Sequence, residues 1–315
     1  MTVRVLDEAD VRRLLPMAEC IDVMAEALAS LARGEVHNPL RTIVRPPGEA
    51  SLLGLMPAHR GGDRPLYGLK AIAIFPSNAV RGLDLHQGFV TLFDGETGEP
   101  RALLNAAGIT AVRTAAVSGV ATRLLARDDV RTLAILGTGV QGRAHLEAMR
   151  CVRRFERVVA WGRTAGRFSD ADGVEEVSSA EEAVRSADVL VTATSAAEPV
   201  VRREWLRPGV HVNAVGSSVP TARELDTQTM LDASLYVDRR ESALREAGDL
   251  LLADIPPEHI RAELGELLLG TAPGRESPDE LTVFKSLGLA VEDLAAAEHV
   301  LAKAEREDAG TVVSL

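Results

Sequence analysis

Leu133-Ala134-Ile135-Leu136-Gly137-Thr138-Gly139-Val140-Gln141-Gly142 decides how this chain is read. An apolar run enters a Gly-x-Gly-x-x-Gly turn, and the residues after it favour a helix. A strand, a tight turn and a helix start, in that order, present backbone N–H groups and the positive end of a helix dipole to a phosphate. A lone glycine pattern is weak evidence, but a second apolar run, Val158-Val159-Ala160-Trp161, follows at the spacing of a strand–helix–strand unit. The stretch is therefore read as the pyrophosphate loop of a dinucleotide-binding domain. Gly137, Thr138, Gly139, Val140, Gln141 and Gly142 are its expected contacts.

Working outward, strand-type runs at 131–136, 157–161, 189–193 and 210–215 alternate with helical stretches at 140–153 and 180–186. That alternation implies a parallel sheet. The first part of the chain is patterned differently. Residues 6–15 read as a helix, and Pro16 opens a second one in which Ile21, Met24, Ala25, Leu28 and Leu31 recur at helical spacing until Gly34. Short β-type runs follow at 41–44, 51–56, 67–75 and 88–93, with Asp94-Gly95-Glu96-Thr97-Gly98 as a turn, so antiparallel strands are expected. A helix at 109–126 carries a stripe of small residues, Ala115, Ala116, Ser118, Gly119 and Ala121, and links the two halves. A last helix is expected at 290–306. The fold class is α/β: a Rossmann-type parallel-sheet domain plus an α+β substrate and dimerisation domain. The boundaries expected are 1–115, completed by a C-terminal helix at 290–315, and 116–289.

The chain has 315 residues, 46% of them hydrophobic, enough for two cores. Its formal charge of −11 is spread along the sequence, which argues against a nucleic-acid partner. An anionic substrate must then be met by a local cluster of cations. No apolar run approaches a membrane span, and Arg4, Asp7, Glu8, Arg12 and Arg13 stand where a signal peptide needs an apolar core. A cytoplasmic protein without a membrane partner is expected. Cys20 and Cys151 read as two buried thiols rather than a disulfide. The histidines show neither HExxH nor Cys/His pairing, so no metal site is expected.

The residues that end the second strand of such a domain select the nucleotide, an acid suiting the ribose hydroxyl of NAD and an Arg the 2′-phosphate of NADP. Here Gly162-Arg163-Thr164 follows Trp161, and the nearest acids, Asp170 and Asp172, lie well past the turn. NADP(H) is the expected cofactor, with NAD(H) possible, and Gly162, Arg163 and Thr164 join the cofactor set. Thr192, Thr194 and Val215, at the ends of later strands, complete it. Ser218, in the turn after Gly216, faces the same crevice and is a candidate for the reaction centre.

Of 35 cations, 32 are Arg; the lysines are Lys70, Lys285 and Lys303. Lys70 interrupts the apolar run Leu66 to Ile74, Arg41 opens a β-type run, and Arg113 falls near the expected start of a helix. All three suit a carboxylate: Arg supplies a planar fork, and a desolvated Lys with a lowered pKa can also donate a proton. Each also has a plainer reading. Arg113 could contact cofactor phosphate, Arg41 could pair with an acid, and Lys70 could snorkel from a strand end. His86, in Leu83-Asp84-Leu85-His86-Gln87-Gly88, is a further candidate beside its reading as a structural histidine.

These residues resemble the ornithine cyclodeaminase/mu-crystallin family over nearly the whole chain. The resemblance rests on Gly68-Leu69-Lys70, 86–93, 109–116, 136–141, Asn213-Ala214-Val215-Gly216, Arg223-Glu224-Leu225-Asp226, Gly248-Asp249, 262–266, Phe284-Lys285-Ser286-Leu287-Gly288 and Val291-Glu292-Asp293. It implies that Arg41, Lys70 and Arg113 hold a substrate carboxylate. It also implies a dinucleotide domain inserted between an N-terminal segment and a returning C-terminal helix. Cyclodeaminases and archaeal alanine dehydrogenases of this family carry an Asp where this chain has Ser218. That Ser, with Gly162-Arg163-Thr164, is more similar to the mu-crystallin branch. The similarity implies NADPH-dependent reduction of a small α-imino acid or cyclic ketimine carboxylate to an L-amino acid, in a homodimer. Two alternatives stay open: a cyclodeaminase or amino-acid dehydrogenase using NAD, with Asp249 approaching the amine, and a non-catalytic protein that binds NADPH and a small ligand.

Overall fold

The computed structural model describes residues 1–164, 166–168 and 173–314; Asp170, Asp172 and the final residue of the expected 290–315 segment lie outside the described residues. The chain divides into two compact units, one of Met1–Arg113 with Leu289 onward and one of Thr114–Gly288. In chain order the helices are α1 (Glu8–Leu14), α2 (Met17–Ala32), α3 (Ala106–Leu125), α4 (Val140–Val152), α5 (Ala180–Ser186), α6 (Thr227–Asp232), α7 (Arg240–Glu246), α8 (Gly248–Leu251), α9 (Leu264–Leu268) and α10 (Ala290–Glu307). Among the described residues no helix is long and apolar enough to cross a membrane.

The first unit is built on β1 (Thr2–Leu6), β2 (Val36–His37), β3 (Thr42–Val44), β4 (Leu52–Arg60), β5 (Leu66–Ile74), β6 (His86–Asp94), β7 (Pro100–Asn105) and the last strand, β16 (Thr311–Ser314). They form one sheet in the order β16-β1-β7-β6-β5-β4-β2, with β3 on β4. Pairing is antiparallel except between β1 and β7. Two expectations are corrected at the chain's ends. Residues 2–6 are a strand, and the first helix begins at Glu8, where Asp7 accepts a hydrogen bond from the Asp10 N–H at 2.9 Å. The last helix stops at Glu307, beyond which Asp308 turns to φ +49 and residues 311–314 return to pair with β1. Neither strand has a pairing partner nearby in sequence, so local periodicity carries no sign of them.

α10 packs with α2 and lies on β4, β5 and β6. Gly68 on β5 permits this: a Cβ there would meet Leu294 Cδ1 at 2.5 Å. Asn38 fixes the other end of the contact, its buried Oδ1 accepting from the Val291 N–H at 2.8 Å in the helix's first turn.

The second unit holds β8 (Thr132–Leu136), β9 (Arg157–Trp161), β10 (Glu175–Glu176), β11 (Val189–Thr192), β12 (His211–Ala214), β13 (Ser234–Val237), β14 (Ile260–Glu263) and β15 (Thr282–Lys285). All pair in parallel, in the order β10-β9-β8-β11-β12-β15-β13-β14. The chain leaves β8 toward β9 and β10, then crosses back to β11 on the other side. Such a reversal opens a crevice at the carboxyl ends of the strands. The small-residue stripe of α3 is buried, and Ser118 meets His145 of α4 at 3.0 Å. Burial pushes His145 down to about 4, so its neutral ring donates from Nδ1 to the Gln141 carbonyl and accepts from Ser118 at Nε2. Of the two cysteines expected to be buried, Cys20 is, but Cys151 is exposed near the end of α4.

Candidate active site

Burial alternates along β5, and Lys70 falls on an inward position at only 3% exposure. Directly opposed residues of an antiparallel pair share a face. Lys70 lies opposite Met56 and Val90, and Ile74 lies opposite His86. Thr42 pairs with Leu55, so Arg41, one residue before β3, is level with Met56. Arg41, Lys70 and His86 thus share the face that α10 covers in part. That helix places Asp293 Oδ2 at 2.7 Å from Lys70 Nζ. Lys70 does not snorkel.

Arg113 completes the cluster, but not from a helix start. α3 begins at Ala106, which sets Arg113 well beyond the first turn, where the dipole has faded. Two acids offset its charge instead: Nε donates to Asp293 Oδ1 at 3.0 Å and Nη1 to Glu292 Oε2 at 2.7 Å. All four side chains are nearly enclosed. Burial pushes the Lys70 ammonium down to about 8; Asp293 opposes this, while the Arg113 and Arg41 charges add to it. Burial would raise Asp293, but Arg113 and Lys70 outweigh it and hold the carboxyl below its ordinary range. His86 is lowered by partial desolvation and by the Lys70 charge, although the residue as a whole stays exposed.

In the second unit the glycine turn fits a dinucleotide pyrophosphate. Gly137 adopts φ +109, and a Cβ there would meet the Ala193 carbonyl at 2.4 Å. A Cβ at Gly142 would stand 2.0 Å from the Gly137 carbonyl oxygen, whereas Gly139 faces open space. These are the three demands of the fingerprint: a tight turn, close helix packing, and room for backbone to approach phosphate. Gly139 caps α4 without a side-chain hydrogen bond, and Val140 is 61% exposed beside it. Thr138 packs where Gly162 lacks a side chain, and exposed Arg163 donates to Ser195 Oγ at 3.3 Å. Thr164 is exposed in the same turn, and Val215 is buried beyond the end of β12.

Two members of the expected cofactor set have other work. The fully buried Thr192 donates its hydroxyl to Glu224 Oε2 at 2.6 Å, and Thr194 donates its N–H and hydroxyl to Glu224 Oε1, each at 2.7 Å. The Thr192 side chain therefore supports the loop after β11. Ser218 follows Ser217, a non-glycine residue at φ +50, in the turn after β12. Asp249, the acid expected to be able to approach an amine, is fully buried instead. It sits 2.8 Å from Lys285 Nζ and accepts from the Glu224 and Leu225 N–H groups.

Sequence reasoning assigned no role to Glu292, Asp293, Glu224 or Lys285. Paired acids in a helix's first turn read as ordinary dipole partners, and nothing local ties them to Arg113, 180 residues before Asp293, or to the still earlier Lys70. Lys285 carried the same signal as Lys70, a rare lysine among apolar residues. Among the described residues no group of three or more His, Cys, Asp or Glu could hold a metal ion.

A glycine turn shaped for pyrophosphate on one parallel sheet, with a buried cationic cluster on a second sheet, defines a nicotinamide-dependent oxidoreductase. More narrowly, the ornithine cyclodeaminase/mu-crystallin family model matches residues 1–308, and the chain belongs to that family. It is 42% identical over 288 residues to the mouse (Mus musculus) ketimine reductase mu-crystallin, covering 89% of this chain and 90% of that protein. Its fold is similar to that of Thermococcus litoralis Δ1-pyrroline-2-carboxylate reductase in complex with NADH and L-proline, at TM-score 0.93 and 36% identity over 98% of this chain and 99% of that one. It is also similar to an archaeal alanine dehydrogenase dimer with bound NAD, at TM-score 0.94 and 32% identity over the full length of both chains.

Proposed function

We propose that this enzyme reduces a small α-imino acid or a cyclic ketimine carboxylate of the pyrroline- or piperideine-2-carboxylate type to the L-amino acid. The observation that carries the reading is Lys70, a nearly enclosed ammonium whose pKa is pushed down to about 8 beside Arg113 and Arg41. Lys70, Arg41 and Arg113 bring three cations to one buried place, which suits a bound carboxylate. Arg41 and Arg113 orient that carboxylate, and His86 lines the same face. A reduced nicotinamide supplies a hydride to the imine carbon. Lys70 supplies the balancing proton to the imine nitrogen, directly or through water, and recovers it from solvent. With Asp249 bound to Lys285 and Ser218 in the turn, a cyclodeaminase lacks an evident acid for the amine.

NADPH is the proposed reductant, held by the 137–142 turn with Gly162, Arg163 and Thr164, since Arg163 suits a 2′-phosphate. A cytoplasmic homodimer is the proposed state, joined through the first unit's sheet. The test is consumption of NADPH and of NADH with Δ1-pyrroline-2-carboxylate, Δ1-piperideine-2-carboxylate and pyruvate with ammonia. Turnover of an imine supports the reading; ammonia release from ornithine with catalytic NAD+, or no turnover of any imine, overturns it. Arg163→Asp should weaken NADPH by about tenfold or more relative to NADH, the loss of one charge-assisted contact. An unchanged ratio removes Arg163 from nucleotide choice.

A further inference from the structure

Lys285 ends β15 with no exposed surface, and no step proposed above uses it. Its Nζ donates to the Gly216 carbonyl at 2.7 Å and lies 2.8 Å from Asp249 Oδ2. Asp249 Oδ1 accepts from the N–H groups of Glu224 at 2.8 Å and Leu225 at 2.9 Å. The Glu224 carboxyl, raised by burial against the opposing Lys285 charge, holds Thr192 and Thr194. One continuous polar chain therefore ties together the carboxyl ends of β11, β12 and β15. The two loops it holds are also pressed on each other. A Cβ at Gly216 would meet the Thr194 carbonyl oxygen at 2.1 Å, and Ser217 Oγ donates to the Ala196 carbonyl at 2.5 Å.

A buried ammonium is a costly way to stabilise a strand end, since apolar residues of equal volume serve at least as well. What only a donor can do here is fix a peptide plane. With its carbonyl drawn to Lys285, the planar trans unit from Gly216 to Ser217 must point the Ser217 N–H the opposite way. The left-handed backbone of Ser217 is held in that setting, and with it the direction of Ser218.

We propose that Lys285 is a positioning residue: by anchoring the Gly216 carbonyl and, through Asp249 and Glu224, the loop after β11, it sets the rim on which the nicotinamide dinucleotide rests. The inference depends on the reading that the carboxyl end of this sheet is the dinucleotide side. Lys285→Met alone leaves Asp249 buried with its cation gone and can fail to fold. The deciding variant is Lys285→Met with Asp249→Asn, which removes both charges while the Asn oxygen still accepts from Glu224 and Leu225.

Melting temperature, dinucleotide Kd by nicotinamide fluorescence, and kcat and KM are measured on each full-length protein. The double variant should melt near the parent yet bind NADPH or NADH at least about tenfold more weakly, with kcat/KM lower by about 100-fold, the cost of a misplacement near 1 Å. A double variant whose Kd returns to the parent value along with its stability overturns the proposal, and so does one that does not fold. If the parent binds dinucleotide but reduces no imine, the functional reading fails while the Kd comparison still judges Lys285.

Discussion

A lysine in the middle of an apolar strand is an expensive residue, and Lys70 shows what offsets the cost. Asp293 stands 2.7 Å from its ammonium, while burial and two arginines push its pKa down to about 8. Below that value the group is a proton donor, and above it the donor form is lost. Imine reduction should therefore fall as pH rises through about 8, and oxidation of the product amino acid should rise over the same range. Stability follows the same group with its own sign. The folded protein holds fewer protons than the unfolded chain between about 8 and the ordinary lysine value of 10.5, so this contribution grows as pH rises through that window. Lys70→Met should lower kcat/KM by about 100-fold or more and flatten the pH profile of what remains. A variant that keeps the profile of the parent shows the titrating group to be elsewhere. At this scale the sequence was half legible: a rare lysine among Leu, Gly, Ala and Ile marks itself, whereas its acid partner on α10 is joined to it only by tertiary packing.

Elements carry the next constraint, because each unit depends on how closely a helix meets a sheet. In the second unit α4 must start against the turn after β8, where a Cβ on residue 142 would stand 2.0 Å from the Gly137 carbonyl oxygen. Backbone cannot yield as a flexible side chain can. Gly142→Ala should destabilise the protein by about 2 kcal/mol or more and weaken dinucleotide binding, read by thermal melting and by fluorescence titration. In the first unit the clash at Gly68 is with the tip of Leu294, so Gly68→Ala costs less stability. It should still displace α10 and Asp293 from Lys70, showing as a loss of kcat with a small change in melting temperature. The turn at 137–142 was readable because its chemistry is local. β1 and β16 were not, because Thr2–Leu6 and Thr311–Ser314 are strands only by pairing with each other and, for β1, with β7.

Across the whole molecule, the face of the first unit's sheet opposite Lys70 remains to be accounted for. Residues alternate across a sheet, so Tyr67 and Phe89 point away from the cluster, as do Leu53 and its partner Val44. Each is exposed: Tyr67 by 50%, Phe89 by 41%, Leu53 by 39% and Val44 by 51%. Scattered apolar residues on a surface need no explanation, but several large ones exposed on one sheet face suit an association site. A second copy of the chain is the proposed occupant, and a two-fold contact would use this face on both protomers. A charge placed there is then buried twice in every dimer, at a cost of several kcal/mol. Phe89→Glu with Leu53→Glu should thus shift the protein from dimer to monomer in light scattering. Since the substitutions face away from Lys70, they should leave dinucleotide affinity near that of the parent. A variant that stays dimeric places the subunit contact on another surface.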